Sequence, residues 1–231
     1  MSLSYSAARY SVRQDLEQAH QRLWASLSAP GTWLTSAERI EVASQARLAR
    51  HDGTLEKNPS ILSQGLLEVA KVVGGNPKSI NRIWFDEIVP KKLSVEKYVE
   101  AVGVIARSVS VDVFSKGLGL SLPDFPEWQD GSPTMIRPTT AKVDVGWVPM
   151  IPNGREGGQE AIKVFGGVNA NVIRALSLVP DEVKGLLDLL EHQYIEDKKV
   201  TDPSYESDRG LSRAQTELLA GRISALNDCF Y

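Results

Sequence analysis

Cysteine is almost absent from this chain: among 231 residues only Cys229 carries a thiol, so no intramolecular disulfide can form. Histidine is nearly as scarce. His20, His51 and His192 are scattered, and with one cysteine they make a poor zinc set, so no metal site is expected. Long apolar runs are missing as well. No stretch approaches the roughly 18 consecutive apolar residues of a membrane span, and the first residues carry charges where a secretory leader needs an apolar core. A cytoplasmic protein with no membrane partner is the expectation. Nor is there an excess of positive charge. Lys and Arg number 26 against 29 Asp and Glu, interleaved to a net charge of −3, which disfavours nucleic acid as a partner. A phosphate loop is lacking too: "GREGGQ" at 154–159 has no Lys followed by Ser or Thr, and no cofactor is expected.

What is present is a folded core's worth of apolar residues, 42% against 24% charged. Most of them fall at helical spacing. Val12, Leu16, Ala19, Leu23 and Leu27 define one face of a helix between Tyr10 and Leu27, ended by Pro30 and Gly31. A second helix starts at Thr35, whose partner Glu38 completes a T-x-x-E capping box, and Ala37, Ile40 and Ala43 are expected to face the core. "SILSQGLLEVAKVVGG" reads as a third helix stopped by Gly74 and Gly75, with Asn76 and Pro77 as cap and first turn of a fourth that runs to about Val89. The long segment from Leu93 to Gly119 offers Val99, Val102, Ile105, Ala106, Val109 and Val113 for burial.

Six of the twelve prolines then lie between Pro123 and Pro152, and apolar periodicity disappears. Residues 121–160 read as a linker that packs along the surface, because Phe125, Trp128, Trp147 and Met150 would otherwise be exposed. Helices resume at "NANVIRALSLV" and at "PDEVKGLLDLLEHQYI", where Val183, Leu186, Leu187, Leu190 and Tyr194 form a stripe. A final helix begins at Leu211. The fold class is all-α. Setting Leu34 against Leu211 aligns "LTSAERIEVASQARLA" with "LSRAQTELLAGRISAL", and Ser212 with Gln215 rebuilds the capping box of Thr35 with Glu38. The chain therefore divides into a helical half at 1–120, the linker at 121–160 and a second half at 161–231.

Eleven residues separate Glu217 from Cys229. On one straight helix the carboxylate could not serve the thiol. "LNDC" offers Asn227 and Asp228 as N-cap candidates, so a helix ending near Leu226 and a new one opening at Cys229 would fold the sulfur back toward a semi-buried Glu217. A thiol in the first turn of a helix meets unsatisfied N–H groups that favour thiolate. These two residues are the candidate catalytic pair, Cys229 as the thiol and Glu217 as proton relay.

This spacing, after an Ala- and Leu-rich helix, resembles the signature of the alkylhydroperoxidase D-like / carboxymuconolactone decarboxylase superfamily: Glu, eleven residues, Cys-x-x-Cys, three residues, His, in an all-helical fold. Glu217 matches the glutamate and Cys229 the first cysteine, which implies Glu217 as proton relay and Cys229 as the resolving or partner thiol of the intact site. "PGTWLTSAERIEVA" and "RALSLVPDEV" resemble segments of its two-half members. The resemblance implies a thiol- or selenol-dependent peroxidase that takes a hydroperoxide substrate and a thiol reductant and forms a homo-oligomer. It implies that the motif continues beyond Tyr231, with Cys or selenocysteine at the next position and His four further on. The chain as it stands is expected to be inactive or nearly so. It also implies that the first half is a degenerate copy, since Asp52 and Leu55 occupy the positions aligned with the redox pair. A decarboxylase or lactone-processing enzyme of the same superfamily and a non-catalytic helical scaffold are the alternatives.

Overall fold

Helices carry nearly all of the regular structure. The structure, a computed structural model, describes residues 3–51, 61–206 and 210–229, with the backbone alone at 197 and 198. In chain order these hold α1 (Gln14–Leu27), α2 (Ser36–His51), α3 (Gln64–Gly75), α4 (Arg82–Ile88), α5 (Val95–Gly117), β1 (Lys142–Val143), β2 (Pro149–Met150), α6 (Gly158–Phe165), α7 (Asn171–Arg174), α8 (Pro180–Gln193), α9 (Asp197–Val200) and α10 (Arg213–Leu226). β1 and β2 pair antiparallel as one small ribbon. Among the described residues no helix is long and apolar enough to cross a membrane.

Local signals place most helix starts. Thr35 and Glu38 form the expected capping box: the Thr35 N–H donates to Glu38 Oε2 at 2.8 Å and the Glu38 N–H donates to Thr35 Oγ1 at 3.2 Å. Ser63, Asn81 and Ser94 cap α3, α4 and α5 through side-chain oxygens. The reading of Asn76 and Pro77 as the start of the fourth helix is corrected here. Pro77–Ser79 is a single 3-10 turn, and α4 starts five residues later than Pro77, behind the side-chain cap of Asn81.

α5 is the centre. It packs against α1, α2, α3 and α8, and its Val99, Val104, Ile105 and Val111 lie in one continuous core with Leu27, Val42, Leu66, Val69 and Val183. Of the residues expected inside α5, Ala106 and Val113 are exposed instead. Their places are taken by Glu100, Arg107 and Asp112, which are buried. On α2 the inward stripe is Arg39, Val42, Ala43 and Ala46, while Ala37 and Ile40 are only half-buried.

Gly74 shows why glycine ends α3. A Cβ there would sit 2.6 Å from the Cα and carbonyl oxygen of Ala46, so α2 and α3 cross with their backbones in close approach. The glycine is needed by its neighbour, not merely as a stop.

The 121–160 segment packs in part. Phe125 stacks on Trp24 with centroids 5.3 Å apart, and Val148, Met150 and Ile151 are buried, while Trp128 and Trp147 stay exposed. Gly158 already belongs to α6, so the expected linker overlaps a helix at its end. "NANVIRALSLV" yields only the one-turn α7 before α8 begins behind Pro180. Asp52 and Leu55 lie outside the described residues.

Candidate functional site

Ser212 sets the start of α10. Its hydroxyl accepts from the Gln215 N–H at 3.3 Å, and the Gln215 side chain accepts from the Ser212 N–H at 2.9 Å, the reciprocal capping box that the alignment with Thr35 requires. The helix then runs without interruption to Leu226, where it ends as expected.

Beyond Leu226 the chain departs from the expected bend. Asn227 is the C-cap and Asp228 takes a left-handed φ of 50°. The Cys229 N–H donates to the Ser224 carbonyl at 2.9 Å and the Asp228 N–H to the Ala225 carbonyl at 3.4 Å. This pair of bonds is a Schellman turn with Asp at the position that glycine usually fills. Asn227 and Asp228 thus close a helix rather than open one. Cys229 meets the carbonyl end of α10, and the side chain is exposed. Lys78, in the turn before α4, pairs with the Asp228 carboxylate.

Glu217 is exposed, not semi-buried as expected. Its Oε1 pairs with Arg213 one turn back at 2.8 Å, and its Oε2 accepts from the Tyr194 hydroxyl at 2.8 Å. Desolvation of the ring, and then the hydrogen bond to this carboxylate, hold the Tyr194 proton more firmly than usual. Ser224, which holds Cys229, lies seven residues beyond Glu217, about 10 Å of helical rise. The fold therefore leaves the carboxylate and the thiol at opposite ends of one exposed helix.

Two polar clusters that no sequence motif announces lie deep in the core. In the first, Arg39 Nη1 donates to Glu100 Oε1 at 2.8 Å and to Glu182 Oε1 at 3.2 Å, and Arg107 Nη2 donates to Glu182 Oε2 at 2.5 Å. The Trp33 N–H adds a bond to Glu100 Oε2 at 2.6 Å. None of the four side chains is more than 5% exposed. Two cations and two carboxylates balance, which is what permits burial at all. Burial, opposed by Arg39, still pushes the Glu100 carboxyl above its ordinary range. The glycines beside the cluster make its room: a Cβ on Gly31 would fall 1.8 Å from Glu100 Oε1 and one on Gly103 2.5 Å from Glu182 Oε2. A charge on the stripe that continues into Val42 and Ala46 was the signal in the sequence for Arg39.

In the second cluster His20, fully buried, contacts the Tyr5 hydroxyl through Nδ1 at 2.5 Å and Gln193 Nε2 through its own Nε2 at 2.8 Å. The Gln193 carbonyl oxygen accepts from Ser110 at 2.8 Å, so its amide nitrogen faces the ring and donates. That assigns the tautomer: Nε2 accepts, and Nδ1–H donates to Tyr5. Burial, with a smaller contribution from His192, lowers His20 from its ordinary 6.5 to about 4. The ring is neutral, and Phe114 meets it edge-on with centroids 4.9 Å apart.

The first cluster is closed to solvent, while Gln193 and Ser110 leave the second half-buried at its edge, and both bind the helices together: Arg39 from α2, Glu100 and Arg107 from α5, Glu182 from α8, and His20 from α1. Neither includes Cys229 or Glu217. Among the described residues no group of three or more His, Cys, Asp and Glu side chains could hold a metal ion. No family model matches the chain, and comparison with curated proteins and with solved structures likewise finds no match.

Proposed function

We propose that this protein is a thiol-dependent peroxidase of the alkylhydroperoxidase D-like kind, acting on hydroperoxides in a reducing cytoplasm, with Cys229 as the sulfur that meets the peroxide. A selenol partner for that sulfur is part of the same reading. The observation that supports it is the placement of the single thiol: Cys229 is exposed, on a turn outside the helix, where a peroxide can approach the sulfur. The Cys229 thiolate attacks one peroxide oxygen, an S–O bond forms as the O–O bond breaks, and the other oxygen takes a proton and leaves as alcohol or water. An external thiol then attacks the sulfenic sulfur, releasing water and leaving a mixed disulfide, and a second thiol restores Cys229. With one thiol in the chain, turnover is slow and depends on that reductant. Glu217 would serve as relay only after leaving Arg213 and Tyr194, so the first step is assigned to Cys229 alone.

The test is to treat the protein with cumene hydroperoxide in the presence of dimedone and locate the adduct by mass spectrometry. Adduct at Cys229 that forms faster in the folded protein than in urea supports the reading. Equal rates in both states, or no adduct, remove it.

A second reading rests on a different observation. Leu218, Leu219, Ile223 and Leu226 are 73%, 53%, 58% and 62% exposed and fall on one side of α10. Such a stripe is what a helical interaction or homo-oligomeric module presents. Sedimentation that shows self-association abolished by Leu219→Lys would favour this reading.

A further inference from the structure

Between α4, α5 and the chain around β2 lies a cavity of about 290 Å³. Phe85, Tyr98 and Trp147 form three of its walls, and Val102, Met150 and Leu176 contribute much of the remainder. The aromatic walls brace one another: Phe85 meets Tyr98 edge-on at 5.3 Å and Trp147 at 5.6 Å between centroids. Phe85, Met150 and Leu176 are buried, so these walls are part of the core and are formed in advance. The volume is at the small end of ligand sites.

The lining is chemically selective. No charged side chain contributes to it. The nearest cation in the ring cluster, Arg82, lies over Phe85 and Trp147 at 5.7 and 5.9 Å and is already paired with Asp86 at 2.9 Å. Of the lining side chains only Tyr98 carries a hydroxyl. Burial holds the proton on that hydroxyl, so it is available as a donor. An apolar pocket open on one side, whose side-chain donors are the Tyr98 hydroxyl and the indole N–H of the half-exposed Trp147, suits a compact, uncharged molecule whose ring or branched alkyl body stacks on aromatic walls and whose oxygen accepts from Tyr98.

We infer that this cavity is a binding site for a small uncharged aromatic alcohol, ketone or hydroperoxide, with Tyr98 as its hydrogen-bond donor. It stands independently of the thiol reading, because neither Cys229 nor Glu217 lines it. The test uses the full chain and 2-phenyl-2-propanol as probe, titrated by saturation-transfer NMR. Saturable binding with a Kd on the order of 1 mM is expected for so few heavy atoms. Val102→Trp, which fills the cavity from a half-buried wall position, should weaken it at least tenfold, and Tyr98→Phe about fivefold, the value of one neutral hydrogen bond. Benzoate, which carries the same ring and a charge, should bind more weakly than the alcohol. Circular dichroism and thermal melts confirm that both variants are folded. The inference fails if binding does not saturate, if Val102→Trp binds as the unaltered chain does, or if benzoate binds more tightly. It also fails if the protein sediments as a dimer that Val102→Trp dissociates, which would make the cavity a seat for a second copy.

Discussion

α2 and α10 begin alike and end in different environments. Each opens with a capping box at the same place in the same alignment, Thr35 with Glu38 and Ser212 with Gln215, and each carries apolar residues at helical spacing. Yet α2 buries Arg39, Val42, Ala43 and Ala46 under α3 and α5, while no residue of α10 is buried. A cap is made by residues three apart and forms wherever the local backbone turns. Burial needs a second surface, and the described residues provide one for α2 and none for the leucines of α10.

The contrast can be broken most forcefully through charge. Arg39→Met leaves Glu100 and Glu182 short of their shared cation, and removing one partner from such a buried group is expected to cost about 3–5 kcal/mol in urea unfolding. A loss under about 1 kcal/mol would mean that the cluster is not the tie between α2, α5 and α8. The counterpart in α10, Glu217→Gln, removes an exposed pair and should change stability by less than about 0.5 kcal/mol.

pH acts on the core side of the comparison through His20. His20 is held neutral in the fold, with its pKa lowered from 6.5 to about 4, while the unfolded chain takes up a proton near its ordinary value. Stability from this group is full above pH 6.5, falls as the pH drops from 6.5 to 4, and changes no further below, a loss of about 3 kcal/mol. Unfolding free energies of the protein and of His20→Gln across that window should diverge by this slope, and parallel curves would refute it. Glycine sharpens the comparison next. Gly74→Ala pushes a methyl onto the backbone of Ala46 and should cost about 1–3 kcal/mol, whereas at Gly221 a Cβ meets nothing within 4 Å and Ala there should stabilise α10 by about 0.5–1 kcal/mol. The thermal melt should fall for Gly74→Ala, while Gly221→Ala should show itself as slower amide exchange along α10. The caps give the finest test. Thr35→Ala should cost about 1 kcal/mol of global stability. Ser212→Ala should leave global unfolding within about 0.3 kcal/mol and show itself as faster amide exchange in the first turn of α10, because that helix can open by itself.

Much of the architecture was legible for the same reason that the two caps are. Thr35, Ser212 and the Leu16, Ala19, Leu23 and Leu27 stripe are local patterns, and the structure has them where the sequence places them. Asn76 and Pro77 misled because two cap signals, Asn76 and Asn81, compete within six residues, and the later one, whose side chain reaches the Trp84 N–H at 3.0 Å, starts the helix. The candidate pair was legible only as spacing. Eleven residues lie between Glu217 and Cys229 in any conformation, but "LNDC" can cap the end of a helix as well as the start of one, and Asp228 in a left-handed turn chose the end.

Local sequence was enough to say that this chain is helical, where most of its helices begin, and that it offers one thiol. Tertiary structure alone decided that Arg39, Glu100, Arg107 and Glu182 are inside, that His20 is neutral, and that the leucines of α10 face outward. The physical reason is one of range. Hydrogen bonds that start and stop helices join neighbours in the chain, whereas a buried charge is tolerable only when its counter-charge, 61 residues away for Arg39 and Glu100 and 143 for Arg39 and Glu182, arrives at the same point in space.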